Sequence, residues 1–270
     1  MTSHPPVALV TGASSGIGLA AATQLAAAGY TVYGTSRRGA DAGERGFPLL
    51  ALDVTDDASV QSAIDALHAR EGRIDLLVNN AGIGITGAAE ESSIAQVRAL
   101  FDTNVYGVVR VTNAVLPIMR AQRSGRILNV GSGLGFIPAP FSAYYSASKH
   151  ALEGYSESLD HEVRGFGIRV TVIEPGATRT GFESSTTPAD RPLSAYDALR
   201  AGYQKAYDAA MAVADTPDSV AQTIVLAAGD QRPKLRYPSG KSARQGAFAR
   251  RFLPRAMLDK ALHKQFGMGS

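Results

Sequence analysis

The chain has no cysteine among its 270 residues. That absence removes disulfides, thiolate zinc sites and thiol nucleophiles together. A reducing compartment is compatible with it but not demanded. Histidine is scarce as well: the five residues are scattered, no two stand at metal-ligand spacing, and no metal is expected. No run approaches 18 uninterrupted apolar residues, and positions 1–6 lack a basic stretch leading into an apolar one. Neither a membrane span nor a secretory leader is therefore expected, and the default location is cytoplasmic. An excess of either charge is nearly missing, with 27 Lys and Arg against 24 Asp and Glu, but the balance conceals a division. Positions 230–264 carry net +8 and the remainder −5. The basicity belongs to the C-terminal end. It comes with no recognisable nucleic-acid module and no sheet of stacking aromatics, so no nucleic-acid partner is expected.

With 45% hydrophobic residues, the chain has material for a packed core. Runs rich in Val, Ile and Leu, without polar alternation, read as strands buried on both faces at 7–10, 31–35, 48–54, 74–78, 126–130 and 168–173. Between them, 18–28, 58–70, 94–120 and 146–164 repeat apolar residues at helical spacing. This alternation predicts an α/β fold: a Rossmann-type, doubly wound parallel sheet of about seven strands with helices on both faces. A helix at 220–228 and a strand at 234–237 complete it. Asp56 and Asp57 offer an N-cap, Gly29, Gly72, Gly125 and Gly165 stand where helices should end, and Pro117 predicts a kink or break in 94–120. The organisation expected is one domain over 1–270, with a lid at 181–214 and a basic extension at 240–270.

Glycine is abundant, at 28 residues, and its placement carries the first functional signal. Thr11-Gly12-Ala13-Ser14-Ser15-Gly16-Ile17-Gly18 follows the first strand and opens the first helix. A strand that delivers three glycines to a helix N-terminus presents bare N–H groups and the positive end of the helix dipole, suited to a pyrophosphate. The other reading is a glycine-rich turn with no ligand. At the end of the second strand, where selection of NAD calls for an acid, the chain has Ser36 followed by Arg37 and Arg38. Two guanidinium groups without a carboxylate fit a 2′-phosphate, which favours NADP(H); alternatively both are solvated. Asp53-Val54 and Asn79-Asn80-Ala81-Gly82 lie at the carboxyl ends of the third and fourth strands, the edge on which such sheets bind ligands.

Tyr145 and Lys149 stand four apart, on one helix face. A neighbouring ammonium favours phenolate, so the pair is expected to lower the Tyr145 pKa toward working pH. Tyr144 has Ser148 at that offset and cannot take the same part. Ser132 follows the fifth strand between Gly131 and Gly133, where its hydroxyl can meet a substrate oxygen. Asn104 falls inside a helical pattern for which Asn is a poor former; it is solvated, bent into a water chain, or capping a break.

Together these residues resemble the short-chain dehydrogenase/reductase family from Val7 to about Thr180. The glycine loop, Asn79 to Gly82, Asn104, Ser132, Tyr145 with Lys149, and Pro175-Gly176-Ala177-Thr178-Arg179-Thr180 all fall in family order. The resemblance implies hydride transfer between a nicotinamide and a carbonyl or carbinol carbon. It implies Tyr145 as general acid/base, Ser132 orienting the carbonyl, Lys149 on the nicotinamide ribose and Asn104 anchoring a water relay. Pro175, Gly176, Thr178 and Thr180 are implied at the nicotinamide end. Gly131 departs from the pattern, since many members carry a second serine there.

Leu134, Phe136, Phe141 and Phe182 are expected to line an apolar substrate pocket under the lid. The extension interleaves Phe248, Phe252, Leu253, Leu258, Leu262 and Phe266 with Arg and Lys, interrupted at Pro254. Packing on its own domain is the first expectation for it, and peripheral membrane contact the alternative. The resemblance extends to branches acting on bulky carbonyls of hydroxysteroid or retinal type, and to homo-oligomers, dimers or tetramers. The leading function is an NADPH-dependent carbonyl reductase or alcohol dehydrogenase acting on a small-molecule carbonyl or alcohol. A 3-oxoacyl-carrier reductase is the alternative within enzymes, and an NADP-binding sensor or scaffold the alternative outside them.

Overall fold

A computed structural model describes residues 4–39 and 45–266; the last positions of the extension lie outside the described residues. The chain runs β1 (Val7–Val10), α1 (Gly16–Ala27), β2 (Thr31–Ser36), β3 (Leu49–Ala51), α2 (Asp57–Glu71), β4 (Leu76–Asn79) and β5 (Gly84–Thr86). It continues through α3 (Ile94–Phe101), α4 (Gly107–Gln122), β6 (Gly125–Val130), α5 (Ala143–Val163), β7 (Ile168–Pro175) and β8 (Thr186–Pro188). The last elements are α6 (Asp197–Ala212), α7 (Pro217–Gly229), β9 (Arg236–Ser239), α8 (Lys241–Phe252) and α9 (Arg255–Gln265). Seven strands form one sheet in the order β3-β2-β1-β4-β6-β7-β9, every pair parallel. The order reverses between β1 and β4, which opens the crevice at their carboxyl ends.

The strands lack polar alternation because both faces are covered. On β1, Val7 and Leu9 pack toward Ile64 and Leu67 of α2 and Val111, Val115 and Met119 of α4. Ala8 and Val10 face the other way, toward Ala21, Ala22 and Leu25 of α1 and Val220, Ala221 and Ile224 of α7. Burying a Val or Leu side chain contributes about 1.5–3 kcal/mol, so each face has its own reason to hold register.

Several expected boundaries shift. The pattern at 94–120 is two helices, but the interruption falls at Asp102–Tyr106, a π-turn, and Pro117 sits inside α4 without ending it. One extra residue in that turn aims Asn104 inward, where it is buried. The helices expected to stop at Gly125 and Gly165 instead cap at Arg123, with φ 57°, and, after a short 3-10 turn, at Gly167, with φ 76°. Gly167 has a packing reason to be glycine: a Cβ there would stand 2.3 Å from the Arg123 carbonyl oxygen. The strand at 48–54 shortens to Leu49–Ala51, and the one at 234–237 shifts to Arg236–Ser239.

The polar stretch at 181–214 has more structure than its sequence suggests. β8 pairs in parallel with β5, and α6 follows. Glu91, just before α3, is the latch: its carboxylate accepts from Ala88 N (2.8 Å) and Leu193 N (2.7 Å) and pairs with Arg200 of α6. The extension folds back on the same domain as two helices broken at Pro254. Phe266 stacks on Tyr203 of α6 with centroids 6.0 Å apart, and a Cβ on Gly246 of α8 would touch Ile137 and Phe136. Among the described residues, no helix is long and apolar enough to cross a membrane.

Candidate active site

The glycine loop turns through Gly12 and Gly16, both at positive φ, into α1. Gly18 is required by contact: a Cβ would lie 2.3 Å from the Gly12 carbonyl oxygen and 2.5 Å from Asn80 Nδ2. Ser15 occupies the N-cap without bonding the helix through its side chain, and Ser14 and Ile17 are half-buried beside it. The first-turn N–H groups of a helix have no intrahelical partner, so this loop could hold an anion. The loop is braced from β4 by a residue the sequence reading passed over. Asn80 donates from Nδ2 to the carbonyls of Thr11 (2.9 Å) and Gly12 (3.2 Å), while its N–H and that of Ala81 donate to Thr11 Oγ1.

Asn79, expected at the cofactor, is placed elsewhere. It is buried, and its amide donates to Thr112 Oγ1 (3.1 Å) and Asn129 Oδ1 (2.9 Å), within a polar ladder that continues to Ser156. The reason is strand alternation: Asn79 still belongs to β4 and points at α4, whereas Asn80 is the first residue beyond the strand. At the end of β2, Ser36 Oγ closes a turn onto the Gly39 carbonyl, leaving Arg37 and Arg38 exposed. Asp53 folds its carboxylate onto Thr55, accepting from N and Oγ1, and these bonds, with Arg37 nearby, hold it below the usual carboxylate range. Val54 lies buried beside it, under Gly107.

At the carboxyl end of β6, Ser132 Oγ accepts from Leu134 N at 3.1 Å and stands near enough to the Tyr145 hydroxyl to act on its acidity. Lys149 is buried and donates from Nζ to the Val130 carbonyl at 2.8 Å, with Nζ 5.6 Å from the centre of the Tyr145 ring. The expected lowering of the Tyr145 pKa does not occur here. Burial pushes it up to about 12, with Ser132 pulling the other way, and burial pushes Lys149 down to about 8 against the Glu153 charge. Desolvation is the largest influence on both groups. Asn104 is committed to protein: it accepts from Ile83 N, donates to the Ile83 carbonyl (both 2.9 Å), and reaches Ser148 Oγ at 3.2 Å. It therefore fixes the turn after Gly82, with its Oδ1 3.3 Å from where a Gly82 Cβ would stand.

Thr180 lies across the crevice from Gly16, 3.4 Å from a Cβ built there, and caps the turn at Phe182. Thr178 closes a turn onto the Gly176 carbonyl, beyond Pro175 at the end of β7. Of the expected pocket residues, Phe182 packs on Tyr145 with centroids 5.7 Å apart, Leu134 follows Ser132, and Phe136 lies between the serine loop and α8. Phe141 is elsewhere: with φ 57° it turns into a cluster with Tyr196, Tyr203 and Phe266 and braces α6.

The family model described as short chain dehydrogenase matches residues 6–191. The chain belongs to the short-chain dehydrogenase/reductase family. A 3-ketodihydrosphingosine reductase of Bacteroides thetaiotaomicron is 44% identical over 179 residues, 66% of each chain. Estradiol 17-beta-dehydrogenase 1 of Rattus norvegicus is 38% identical, covering 93% of this chain and 76% of its own. A crystal structure of a short-chain dehydrogenase from Streptomyces avermitilis superimposes over the full length of both chains, with TM-score 0.84 and 35% identity. This protein is thus an oxidoreductase of the short-chain family with the family's Rossmann-type fold.

Proposed function

We propose that the protein is an NADP(H)-dependent oxidoreductase that interconverts a carbonyl and a secondary or primary alcohol on a bulky, apolar small molecule, with reduction favoured. The observation that carries this is the convergence of the Tyr145 and Ser132 hydroxyls and the buried Lys149 at the sheet edge that also bears the glycine cradle. The residues fit the dinucleotide. Gly12, Ser14, Ser15, Gly16, Ile17 and Gly18 would hold the pyrophosphate, Ser36, Arg37 and Arg38 the 2′-phosphate, and Asp53 and Val54 the adenine. Ala81, Gly82, Lys149, Pro175, Gly176, Thr178 and Thr180 would hold the nicotinamide half. When bound, it supplies the hydride.

The chain's own part is proton delivery and orientation. Ser132 Oγ, fixed by Leu134 N, holds the carbonyl oxygen, and the Tyr145 hydroxyl donates its proton to that oxygen. A phenol pushed up to about 12 is protonated throughout the neutral range, which suits reduction. Leu134, Phe136 and Phe182 supply apolar walls, and relatives named for ketodihydrosphingosine and estradiol support a bulky substrate. A cytoplasmic location and a homo-oligomer, dimer or tetramer, belong to the same reading. The test is NADPH oxidation against a panel of ketones and aldehydes. Tyr145→Phe should lose about 100-fold or more in turnover, and equal rates for both proteins would refute the mechanism. Arg37→Ala should erode the preference for NADPH over NADH; an unaltered preference would remove the phosphate role.

A further inference from the structure

Behind the candidate site lies a buried acidic pair that the proposed chemistry does not use. α5 presents Tyr145, Lys149 and Glu153 at successive four-residue steps, so Glu153 stands one turn below Lys149. Its carboxylate nests under the serine loop from both sides. A Cβ on Gly131 would lie 3.2 Å from Glu153 Oε1 and 2.6 Å from Val172 Cγ1, and one on Gly135 would lie 3.3 Å from the same carboxylate oxygen. The glycine where a second serine is usual thus packs closely against both Val172 and Glu153.

Glu174, near the end of β7, is 1% exposed and joins Glu153 at Arg236 of β9. Arg236 Nε is 2.8 Å from Glu153 Oε2 and 3.7 Å from Glu174 Oε1, and its Nη2 is turned outward to Glu157. Glu153 Oε1 and both oxygens of Glu174 are buried without a hydrogen-bond donor. Three orphaned acceptors served by one guanidinium are costly if both carboxyls are ionised, and a proton would convert one acceptor into a donor. The charged groups around the pair are Lys149, His150 and Glu157 on α5 and Arg236 on β9. On β7 the other charged group is Arg169, engaged by Asp160. The serine loop at 131–137 contributes no charge.

We propose that Glu153 and Glu174 hold one proton between them, giving the pair a single negative charge, and that Glu153, the ionised member, is a positioning residue for Lys149 and the serine loop. Burial and the neighbouring Glu153 push Glu174 up to about 8, in accord with its being the protonated partner. Glu153 is the acidic group that acts on Lys149, so its charge keeps the ammonium protonated in a site whose burial disfavours it. The second half of the proposal rests on the carbonyl-reductase reading; the first does not.

The shared proton is tested without any turnover. In the unfolded chain Glu174 releases its proton near the ordinary glutamate value, whereas in the fold it keeps it to about pH 8. Between those values the folded state binds one more proton, so wild-type stability should fall as pH rises. Relative to Glu174→Gln, which cannot titrate, its folded-to-unfolded ratio should drop about tenfold per pH unit from pH 5 to 7.5. Parallel stability curves for the two proteins would overturn the shared proton. Infrared spectroscopy of the wild type gives a second readout: a protonated carboxyl C=O band should persist at pH 7 and vanish by pH 10, and its absence at pH 7 would overturn the proposal equally. For positioning, Glu153→Gln should move the alkaline limb of kcat/KM for carbonyl reduction to lower pH by roughly one unit and raise the NADPH KM. A uniform fall in kcat with the limb in place would mean a purely structural role and would overturn positioning. Failure of the wild type on every carbonyl would refute the reductase reading and with it the positioning role, while the stability and infrared results still decide the shared proton.

Discussion

Substituting two adjacent asparagines separates what holds the nucleotide loop from what holds the sheet. Asn80 Nδ2 makes two neutral bonds, at 2.9 and 3.2 Å, to the carbonyls of Thr11 and Gly12. At about 0.5–1.5 kcal/mol net each, Asn80→Ala removes about 1–3 kcal/mol of loop organisation. If that loss appears in nucleotide binding, 1.4 kcal/mol being tenfold, NADPH affinity should fall by roughly 5- to 140-fold. The fold should lose less, because Asn80 is only half-buried and water can replace its amide at the loop. Asn79→Ala is the opposite case: it strips a donor from Asn129 Oδ1 and Thr112 Oγ1 inside the sheet–helix core, where unsatisfied groups cost about 1–3 kcal/mol each. It should lower the melting temperature by several degrees and change NADPH affinity little. Fluorescence titration with NADPH and thermal melts of both variants measure the two effects. A selective loss of affinity in Asn79→Ala, with Asn80→Ala unaffected, would refute the assignment. Gly18→Ala should couple to Asn80→Ala in a double-mutant cycle, because the added Cβ would press on Asn80 Nδ2 at 2.5 Å.

Two further outcomes follow from the site and from the segment over 181–214. Lys149, pushed down to about 8, is charged below that pH and neutral above it, so carbonyl reduction should weaken as pH rises through about 8; a pH profile flat to pH 10 would contradict the role of its charge. Glu91→Gln should loosen the lid by weakening the latch to Arg200 and the Leu193 N–H, raising substrate KM and speeding proteolysis within 189–200; unaltered KM and cleavage would show that the latch does not govern access.

Much of the fold was legible from the chain because a parallel sheet covered on both faces leaves continuous apolar runs at its strands and glycines at its turns. The positions of Ser132, Tyr145 and Lys149 were legible for a related reason, since helical spacing and a strand end place them at one edge, whereas their roles came from the family resemblance. The β5–β8 pairing was not legible, because these strands have three residues each and pair across about a hundred positions of chain. No local periodicity records such a contact.

The sequence by itself determined the sheet, the glycine cradle, the Tyr145–Lys149 face and the division between an acidic body and a basic end. Only the tertiary structure decided which of two neighbouring asparagines braces the loop, since one residue's difference at a strand end reverses the direction of a side chain. It moved Phe141 from the pocket to a cluster against α6, and it interrupted near Asn104 a helical pattern expected to kink or break at Pro117. It also set the protonation chemistry. Spacing predicted that Lys149 would acidify Tyr145, but burial, which depends on everything packed around the pair, drives both groups toward their neutral forms and brings Glu153 and Glu174 together beneath them.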